Sequence, residues 1–172
     1  EKTREYQTEN KLLPGYYGKF AHCRNLSEEE ILANLAAKKT YVIRLRSQGN
    51  VDVKHPFRDA VKGEITVTEN NQDVVILKSD GIPTYHFAHA VDDHLMRTNL
   101  VIRGEEWLAS LPIHIELFKA LGFRLPEYGH NCSIQKMDGD TRRKLSKRKD
   151  PEASLTFYRE EGYHPLAVRT YM

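Results

Sequence analysis

Apolar positions in residues 1–80 follow two periods, one typical of a helix and one typical of strands. Ser27 followed three residues later by Glu30 forms a capping-box pattern, and apolar residues at 31, 32 and 35 continue it as a helix to about residue 39. Alternating or β-branched segments then predict strands at 41–46, 51–53, 64–68 and 74–77. We therefore expect a small antiparallel meander over residues 40–80, preceded by that helix and by the tail of another helix in residues 1–12.

Beyond residue 80 the pattern changes to an alternation of strands and helices. Predicted strands cover 84–88, 100–103 and 130–134, and predicted helices cover 90–96, 105–121, 150–161 and 165–172. Asp150, Pro151 and Gly162 stand where an N-cap, a first-turn proline and a terminating glycine are expected. This order is typical of a parallel layer in an α/β fold. The sequence thus predicts an α/β protein with a boundary near residue 80.

Composition fits a folded protein of ordinary domain size. The chain has 172 residues, of which 40% are hydrophobic, and 26 basic against 24 acidic residues leave a formal net charge of +2. No apolar run reaches the ~18 residues of a membrane helix, so we expect no membrane association. Cys23 and Cys132 are too few for a disulfide framework or a four-cysteine zinc site, which favours a reducing, cytoplasmic setting.

Positive charge is concentrated in residues 136–149, which hold seven basic and two acidic side chains. The densest part, from Arg142 to Lys149, lies between a predicted strand and a predicted helix, and we expect it to be a loop. Like charges at this density repel unless an anion neutralises them. Lys and Arg side chains with the Ser146 hydroxyl can surround a polyphosphate; a solvated basic loop and a loose nucleic-acid contact are the alternatives.

Histidines and carboxylates cluster in residues 86–94. His89 and Asp93 are four residues apart, and side chains at that spacing meet on a helix. Imidazoles and carboxylates are ligands for zinc or iron, but no known ligand spacing is matched. The whole group comprises His86, His89, Asp92, Asp93 and His94. We favour a polar network around a cleft, and a metal site is the alternative.

Arg103 ends a predicted strand and is followed by a glycine and a helix start. Ligands bind at the carboxyl ends of strands in open α/β sheets, where an arginine can hold a carboxylate and Trp107 can stack on a ring. An ion pair of Arg103 with a following glutamate, and a core position for Trp107, explain the pattern equally well. Tyr85 can donate to a ligand or lie in the core.

Four segments carry a family pattern: DGIPTYHFA at 80–88, VDDHLM at 91–96, VIRGEEWL at 101–108 and KLSKR at 144–148. Together, and in this order, they resemble bacterial glutamyl-tRNA synthetase, a class I aminoacyl-tRNA synthetase. Residues 14–24 and 57–65 resemble its connective insertion more loosely. The resemblance implies that ATP, with Mg²⁺, activates L-glutamate as glutamyl-adenylate, and that the glutamyl group passes to tRNA(Glu). A non-discriminating relative that also charges tRNA(Gln) is an alternative.

The resemblance also implies roles for individual residues. Tyr85 and Arg103 are implied to bind glutamate, with Arg103 on its side-chain carboxylate, and Trp107 is implied to lie beside ATP. The basic segment is implied to hold residues with three further roles. Lys144, Ser146 and Lys147 are implied to be catalytic, and Leu145 and Lys147 to bind ATP. Arg142, Arg143 and Arg148 are implied to contact nucleic acid. No structural metal is implied.

One departure from the family concerns its first motif, His-x-Gly-His, which occurs nowhere in the chain. We therefore expect an internal fragment that is monomeric and catalytically incomplete on its own. In this interpretation residues 1–80 are the connective insertion with a preceding helix tail. Residues 81–172 are the second half of a Rossmann-like catalytic domain. A module that only binds nucleic acid, through residues 142–149, is the alternative function.

Overall fold

Both helices and strands occur in the computed structural model, which describes residues 2–171. Glu1, in the predicted helix tail of residues 1–12, and Met172, the last residue of the helix predicted at 165–172, lie outside the described residues. The helices are α1 (Lys2–Glu9), α2 (Glu28–Ala36), α3 (Tyr85–Leu95), α4 (Leu111–Ala120), α5 (Leu155–Glu160) and α6 (Pro165–Tyr171). The strands are β1 (Ile43–Arg44), β2 (Lys54–Asp59), β3 (Gly63–Thr68), β4 (Val75–Leu77), β5 (Leu100–Gly104), β6 (Glu127–Asn131), β7 (Gln135–Asp138) and β8 (Thr141–Lys144). Short 3₁₀ helices cover Gly18–Phe20, Glu105–Ser110 and Pro151–Ala153. The mixed α/β class is confirmed.

The chain divides into two compact units, and the division falls between His130 and Asn131. The predicted boundary near residue 80 does not coincide with this division and stays a prediction. No helix within residues 2–171 has the length and apolar content needed to cross a bilayer.

Pairing in residues 40–80 of the first unit is antiparallel as predicted, but the predicted single meander is wrong, because the four strands form two separate two-stranded sheets. β1 pairs with β4, and β2 pairs with β3 in a hairpin whose last partners are Asp59 and Gly63. The predicted strand at 51–53 is wrong. Those residues form a turn that Asn50 closes, because its side chain accepts from the Asp52 amide at 3.0 Å and its carbonyl from the Val53 amide at 3.0 Å.

The start of α2 is as predicted. The Ser27 hydroxyl accepts from the Glu30 amide at 3.2 Å, and the Glu30 carboxylate accepts from the Ser27 amide at 2.8 Å. These bonds satisfy amide groups that the first helical turn otherwise leaves without partners.

The predicted strand at 84–88 is wrong, because Tyr85 opens helix α3. α3 packs against α4, and Ala90, Leu117 and Phe118 are almost completely buried where they meet. Thr84, Tyr85 and Phe87 favour strands locally, but burial of this apolar face outweighs propensities that span only ~1 kcal/mol. The same core cluster includes Leu45 and partly buried Val74 and Ile76 from the β1–β4 region.

The second unit begins with a β7–β8 hairpin that the sequence analysis did not predict. The expected loop over residues 142–149 is therefore wrong for Arg142, Arg143 and Lys144, which pair with Met137, Lys136 and Gln135 across the hairpin. The segment leaves the strand after Lys144. The predicted helix at 150–161 is divided by extended backbone at Ser154, whose side chain caps α5 by accepting from the Thr156 amide.

Candidate functional site

Arg103 lies at the end of β5, and the first unit holds its guanidinium group from three sides. Nε donates to His130 Nε2 at 3.0 Å, and Nη1 donates to His114 Nδ1 at 2.8 Å. Nη2 donates to the Trp107 carbonyl at 3.4 Å. The Tyr128 ring lies below, with its centroid 4.7 Å from Arg103 Cζ. These contacts within the protein therefore define the orientation of Arg103.

These bonds assign the tautomers of two histidines. A guanidinium group can only donate, so the imidazole nitrogens that face it must accept. The ring protons consequently sit on His130 Nδ1 and His114 Nε2. His130 Nδ1 is 2.5 Å from Asp59 Oδ2, and His114 Nε2 is 2.9 Å from His86 Nδ1. Both imidazoles are neutral in this arrangement. Each links Arg103 to a further side chain, His130 to Asp59 and His114 to His86.

Asp59 anchors this network at the turn of the β2–β3 hairpin. Its Oδ1 accepts from the amides of Val61, Lys62 and His130 at 3.0, 2.9 and 3.1 Å. Burial alone would raise the pKa of Asp59. The bonds from the His130 ring and from the Lys62, His130 and Val61 amides instead hold that pKa well below its usual range. Asp59 is therefore a carboxylate at physiological pH.

The neighbouring histidines are kept neutral. Burial, with Arg103 and other imidazoles nearby, lowers the pKa of His114 to about 2. Burial also lowers the pKa of His86 and of His89, and the charge of Arg103 adds to both shifts. The cation at the centre of this cluster is consequently Arg103.

Tyr85 and Trp107 form an aromatic rim beside Arg103. Their ring centroids are 4.5 Å apart, and the Tyr85 ring stacks on His89 at 5.7 Å. Tyr85 is about half exposed. The structure therefore brings together Tyr85 from one predicted segment and Arg103 and Trp107 from another.

The His/Asp cluster of α3 forms a polar network. The predicted His89–Asp93 contact is confirmed, with Nδ1 and Oδ2 2.8 Å apart, and His89 Nε2 lies 2.9 Å from the Tyr128 hydroxyl. His94 stacks on Phe123 at 3.7 Å. Within residues 2–171, no three His, Cys, Asp or Glu side chains are placed to hold a metal ion together.

This arrangement suits a carboxylate ligand. Arg103 has five N–H groups, and its bonds to residues in the described part of the chain use three of them. A guanidinium group that the protein orients in this way can still donate from its terminal nitrogens to the oxygens of a carboxylate.

Asp150 organises the basic segment in the second unit. It binds the Arg143 guanidinium through both oxygens, at 2.6 and 2.7 Å, and it accepts from the Ser146 amide at 2.8 Å. Lys136 lies 3.0 Å from Asp150 and 2.5 Å from Glu152. Hydrogen bonds from Arg143 hold the pKa of Asp150 well below its usual range. The carboxylate thus fixes the backbone where the chain leaves β8.

The remaining side chains of this segment differ in exposure. Lys147, Arg148 and Lys149 form an exposed turn, and Arg142 and Lys144 are exposed on β8, whereas Leu145 and Ser146 are half-buried. Arg143 also contacts Asp138 at 2.5 Å, so its guanidinium serves the hairpin itself. The ligand roles of Arg142, Arg143, Lys144, Leu145, Ser146, Lys147 and Arg148 stay predictions.

Four residues of the Arg103 network were not selected from the sequence as site residues: Asp59, His114, Tyr128 and His130. His114 carried a usable signal, because it lies three or four positions from Leu111, Leu117 and Phe118 on the buried face of α4. A histidine on such a face needs a hydrogen-bond partner in the core.

Comparisons with known proteins agree on one family. The family model described as tRNA synthetases class I (E and Q), catalytic domain, matches residues 1–172. A glutamate–tRNA ligase of Clostridium beijerinckii is 54% identical over 169 residues, which cover 98% of this chain and 31% of that protein. A glutamate–tRNA ligase of Clostridium perfringens is also 54% identical, over 172 residues and 32% of its length.

A solved structure is similar as well. The crystal structure of a glutamate tRNA ligase from Elizabethkingia meningosepticum, in complex with its amino acid, has a TM-score of 0.73 and 34% identity. The match covers 94% of this chain and 36% of that one. The chain thus spans about a third of the length of the curated relatives it matches.

Proposed function

The chain belongs to the catalytic-domain family of class I tRNA synthetases for glutamate and glutamine, and on this premise we propose that it is part of a glutamate–tRNA ligase. An oxygen of the glutamate α-carboxylate attacks the α-phosphorus of ATP, and the bond to pyrophosphate breaks. The resulting glutamyl-adenylate then gives its acyl group to a ribose hydroxyl of the terminal adenosine of tRNA(Glu), and AMP leaves.

The orientation of Arg103 is the observation that carries this proposal. Two neutral histidines and the Trp107 carbonyl fix the guanidinium, and the Trp107 ring lies 4.5 Å from the Tyr85 ring. A fixed fork selects a carboxylate without the entropic cost of ordering a flexible cation. Arg103 and Tyr85 bind the glutamate side chain in this proposal, and Trp107 flanks the nucleotide.

The basic segment acts on ATP. Charge develops on the leaving pyrophosphate, and cations positioned for it stabilise the transition state more than the ground state. We assign Lys147 to this role, with Lys144 and Ser146 in the same segment and Leu145 against the nucleotide. Arg142, Arg143 and Arg148 are assigned to tRNA phosphates, and Arg143 also supports the hairpin through Asp138 and Asp150. Mg²⁺ arrives with ATP, since this ion usually binds through substrate phosphates rather than a protein cage.

The finer architecture and setting are part of the same proposal. Residues 1–80 correspond to the connective insertion and residues 81–172 to the second half of the Rossmann-like domain. The full-length enzyme is a cytoplasmic monomer, and charging of tRNA(Gln) in addition to tRNA(Glu) is its alternative specificity.

Glutamate-dependent ATP–pyrophosphate exchange by the full-length protein tests the proposal. Arg103→Ala is expected to raise the glutamate KM by at least about 30-fold, because an enclosed carboxylate loses its paired cation. Lys147→Ala is expected to slow exchange with little change in the glutamate KM. Lys54→Ala, at an exposed position of β2 outside the basic segment, is the matched control. Unchanged glutamate saturation in Arg103→Ala, or a normal exchange rate in Lys147→Ala, contradicts the assigned role.

A module that only binds nucleic acid is the second candidate, favoured by the exposed turn at residues 147–149. It predicts salt-sensitive RNA binding without sequence preference and without any response to glutamate or ATP. Glutamate-dependent exchange by the wild-type protein excludes it.

A further inference from the structure

We propose that Asp59 is a positioning residue for glutamate recognition, because it sets the tautomer of His130 and thereby the orientation of Arg103. The inference rests on the proposed function, since it concerns the same Arg103. Asp59 does not touch the ligand in this scheme. It acts from the β2–β3 hairpin, a different part of the first unit, through a single imidazole.

The turn of the hairpin is held against β6, which places Asp59 beside His130. The Ala60 amide donates to the Tyr128 carbonyl at 2.7 Å. Gly129 permits the approach, because a Cβ atom there would lie 3.0 Å from a methyl carbon of Val61. The Asp59 and His130 side chains are completely buried at this contact. Their hydrogen bonds therefore have no competition from solvent.

The two carboxylate oxygens of Asp59 have different partners. Oδ1 faces three amide N–H groups, from Val61, Lys62 and His130, so this position requires an acceptor. Oδ2 faces His130 Nδ1, and it too accepts, because His130 Nε2 must leave its lone pair for Arg103 Nε. A carboxylate meets both requirements at once.

An asparagine side chain has the same shape as aspartate but cannot accept hydrogen bonds at both positions. In Asp59→Asn the side-chain oxygen is held by the three backbone amides, which turns the NH₂ group toward His130. That NH₂ donates to Nδ1, so the ring proton moves to Nε2 and faces the N–H of Arg103 Nε. Two donors then point at each other inside the protein, and the guanidinium must leave its position.

The kinetic test uses the full-length enzyme and the exchange reaction. Asp59→Asn is expected to raise the glutamate KM by roughly tenfold, the effect of losing one hydrogen bond to a charged group, with the ATP KM changed less than about twofold. In the His130→Ala background, Asp59→Asn is expected to have no further effect on the glutamate KM. Exposed Asp52→Asn, just before the same hairpin, is the matched control.

A tautomer measurement separates this inference from a purely structural role. Imidazole ¹⁵N shifts in histidine-labelled protein are expected to show an Nδ1–H tautomer for His130 in the wild type and an Nε2–H tautomer in Asp59→Asn. An Nε2–H tautomer or an imidazolium at His130 in the wild type overturns the inference even if the variant does not fold. So does an equal rise of the glutamate and ATP KM values, or an undiminished effect of Asp59→Asn without His130.

The same experiments distinguish failure of the proposed function from failure of the positioning role of Asp59. A wild-type protein with no glutamate-dependent exchange refutes the ligase assignment, and the tautomer measurement then decides whether Asp59 positions Arg103. A normal wild-type exchange with an unchanged glutamate KM in Asp59→Asn refutes the positioning role alone.

Discussion

Acid sensitivity is the most direct physical consequence of the buried imidazole His114. It is completely buried, bonded between Arg103 and His86, and its pKa is lowered by burial to about 2. In the unfolded chain a histidine has a pKa of about 6.5. Below pH 6.5 the unfolded state therefore takes up a proton that the folded state refuses. The contribution of His114 to stability is fully present above pH 6.5 and is lost progressively as the pH falls toward 2.

The size of this effect follows from linkage. One proton bound only by the unfolded state changes the free energy of unfolding by about 1.4 kcal/mol per pH unit. Between pH 7 and pH 5.5, with partial protonation near 6.5, His114 alone should cost about 1 kcal/mol. His86 and His89 have lowered pKa values for the same reason and act in the same direction. The contribution of His114 to the pH dependence must therefore be measured as the difference between the wild type and a variant that lacks this histidine.

Urea unfolding of the 172-residue chain at several pH values measures that difference. Trp107 is its single tryptophan and lies 4.5 Å from Tyr85, so its fluorescence reports on the first unit. His114→Gln keeps a donor and an acceptor and cannot be protonated in this range. Its free energy of unfolding should fall less steeply with decreasing pH than that of the wild type. Below pH 6 the two slopes should differ by about one bound proton, which is about 1.4 kcal/mol per pH unit. His22→Gln, at an exposed position of the same unit, is the matched control.

Equal pH dependence in the wild type and His114→Gln would refute the reasoning. It would mean that the folded protein admits a proton at His114, which is incompatible with an Nδ1 atom that accepts from Arg103. A variant that is less stable at pH 7 but has a shallower slope agrees with the prediction, because the slope and the absolute stability report different properties.

Three further outcomes are expected in the same chain. Leu117→Ala, at a buried core position, should lower the free energy of unfolding by about 2–5 kcal/mol in urea titrations, whereas a loss below 1 kcal/mol would contradict its place in the core. Ser27→Ala removes the N-cap of α2 and should cost about 1 kcal/mol, with no loss expected if the capping box is absent in solution. Asp150→Ala should speed hydrogen exchange at the Ser146 amide relative to an Asp140→Ala control, and unchanged exchange would show that Asp150 does not hold this turn.

Sequence patterns predicted those elements whose causes are local. The capping box of α2 depends on two residues three positions apart, and its bonds form as expected. The β2–β3 hairpin joins strands that are neighbours in the chain, whereas β1 pairs with β4 more than thirty residues away, and local patterns do not predict that choice of partner. The strand predicted at 84–88 failed for the same reason. Its outcome depends on Ala90 packing against α4, which lies more than twenty residues further along the chain.

The candidate site was predicted only at its ligand-facing end. Tyr85, Arg103 and Trp107 were found because residue type, strand position and family resemblance all point to them. Their support was not found, because Asp59 and His130 are 71 residues apart and each has an ordinary local setting. A hydrogen bond across that separation leaves no periodic signal in a single sequence, and it emerges only when the hairpin is placed against β6.

Counting the charges of the basic segment did not reveal which of its cations are paired within the protein. Seven cations were counted in residues 136–149, yet Lys136 and Arg143 are paired with Asp150, which lies just outside that window. Asp150 also binds the Ser146 amide, so the internal ion pairs shape the backbone instead of awaiting an anion. The cations that the turn presents to solvent are Lys147, Arg148 and Lys149. Neutralising the hairpin from within while leaving the turn charged is the arrangement that a phosphate-binding turn requires, because the ligand then meets positioned cations on a backbone already held in place.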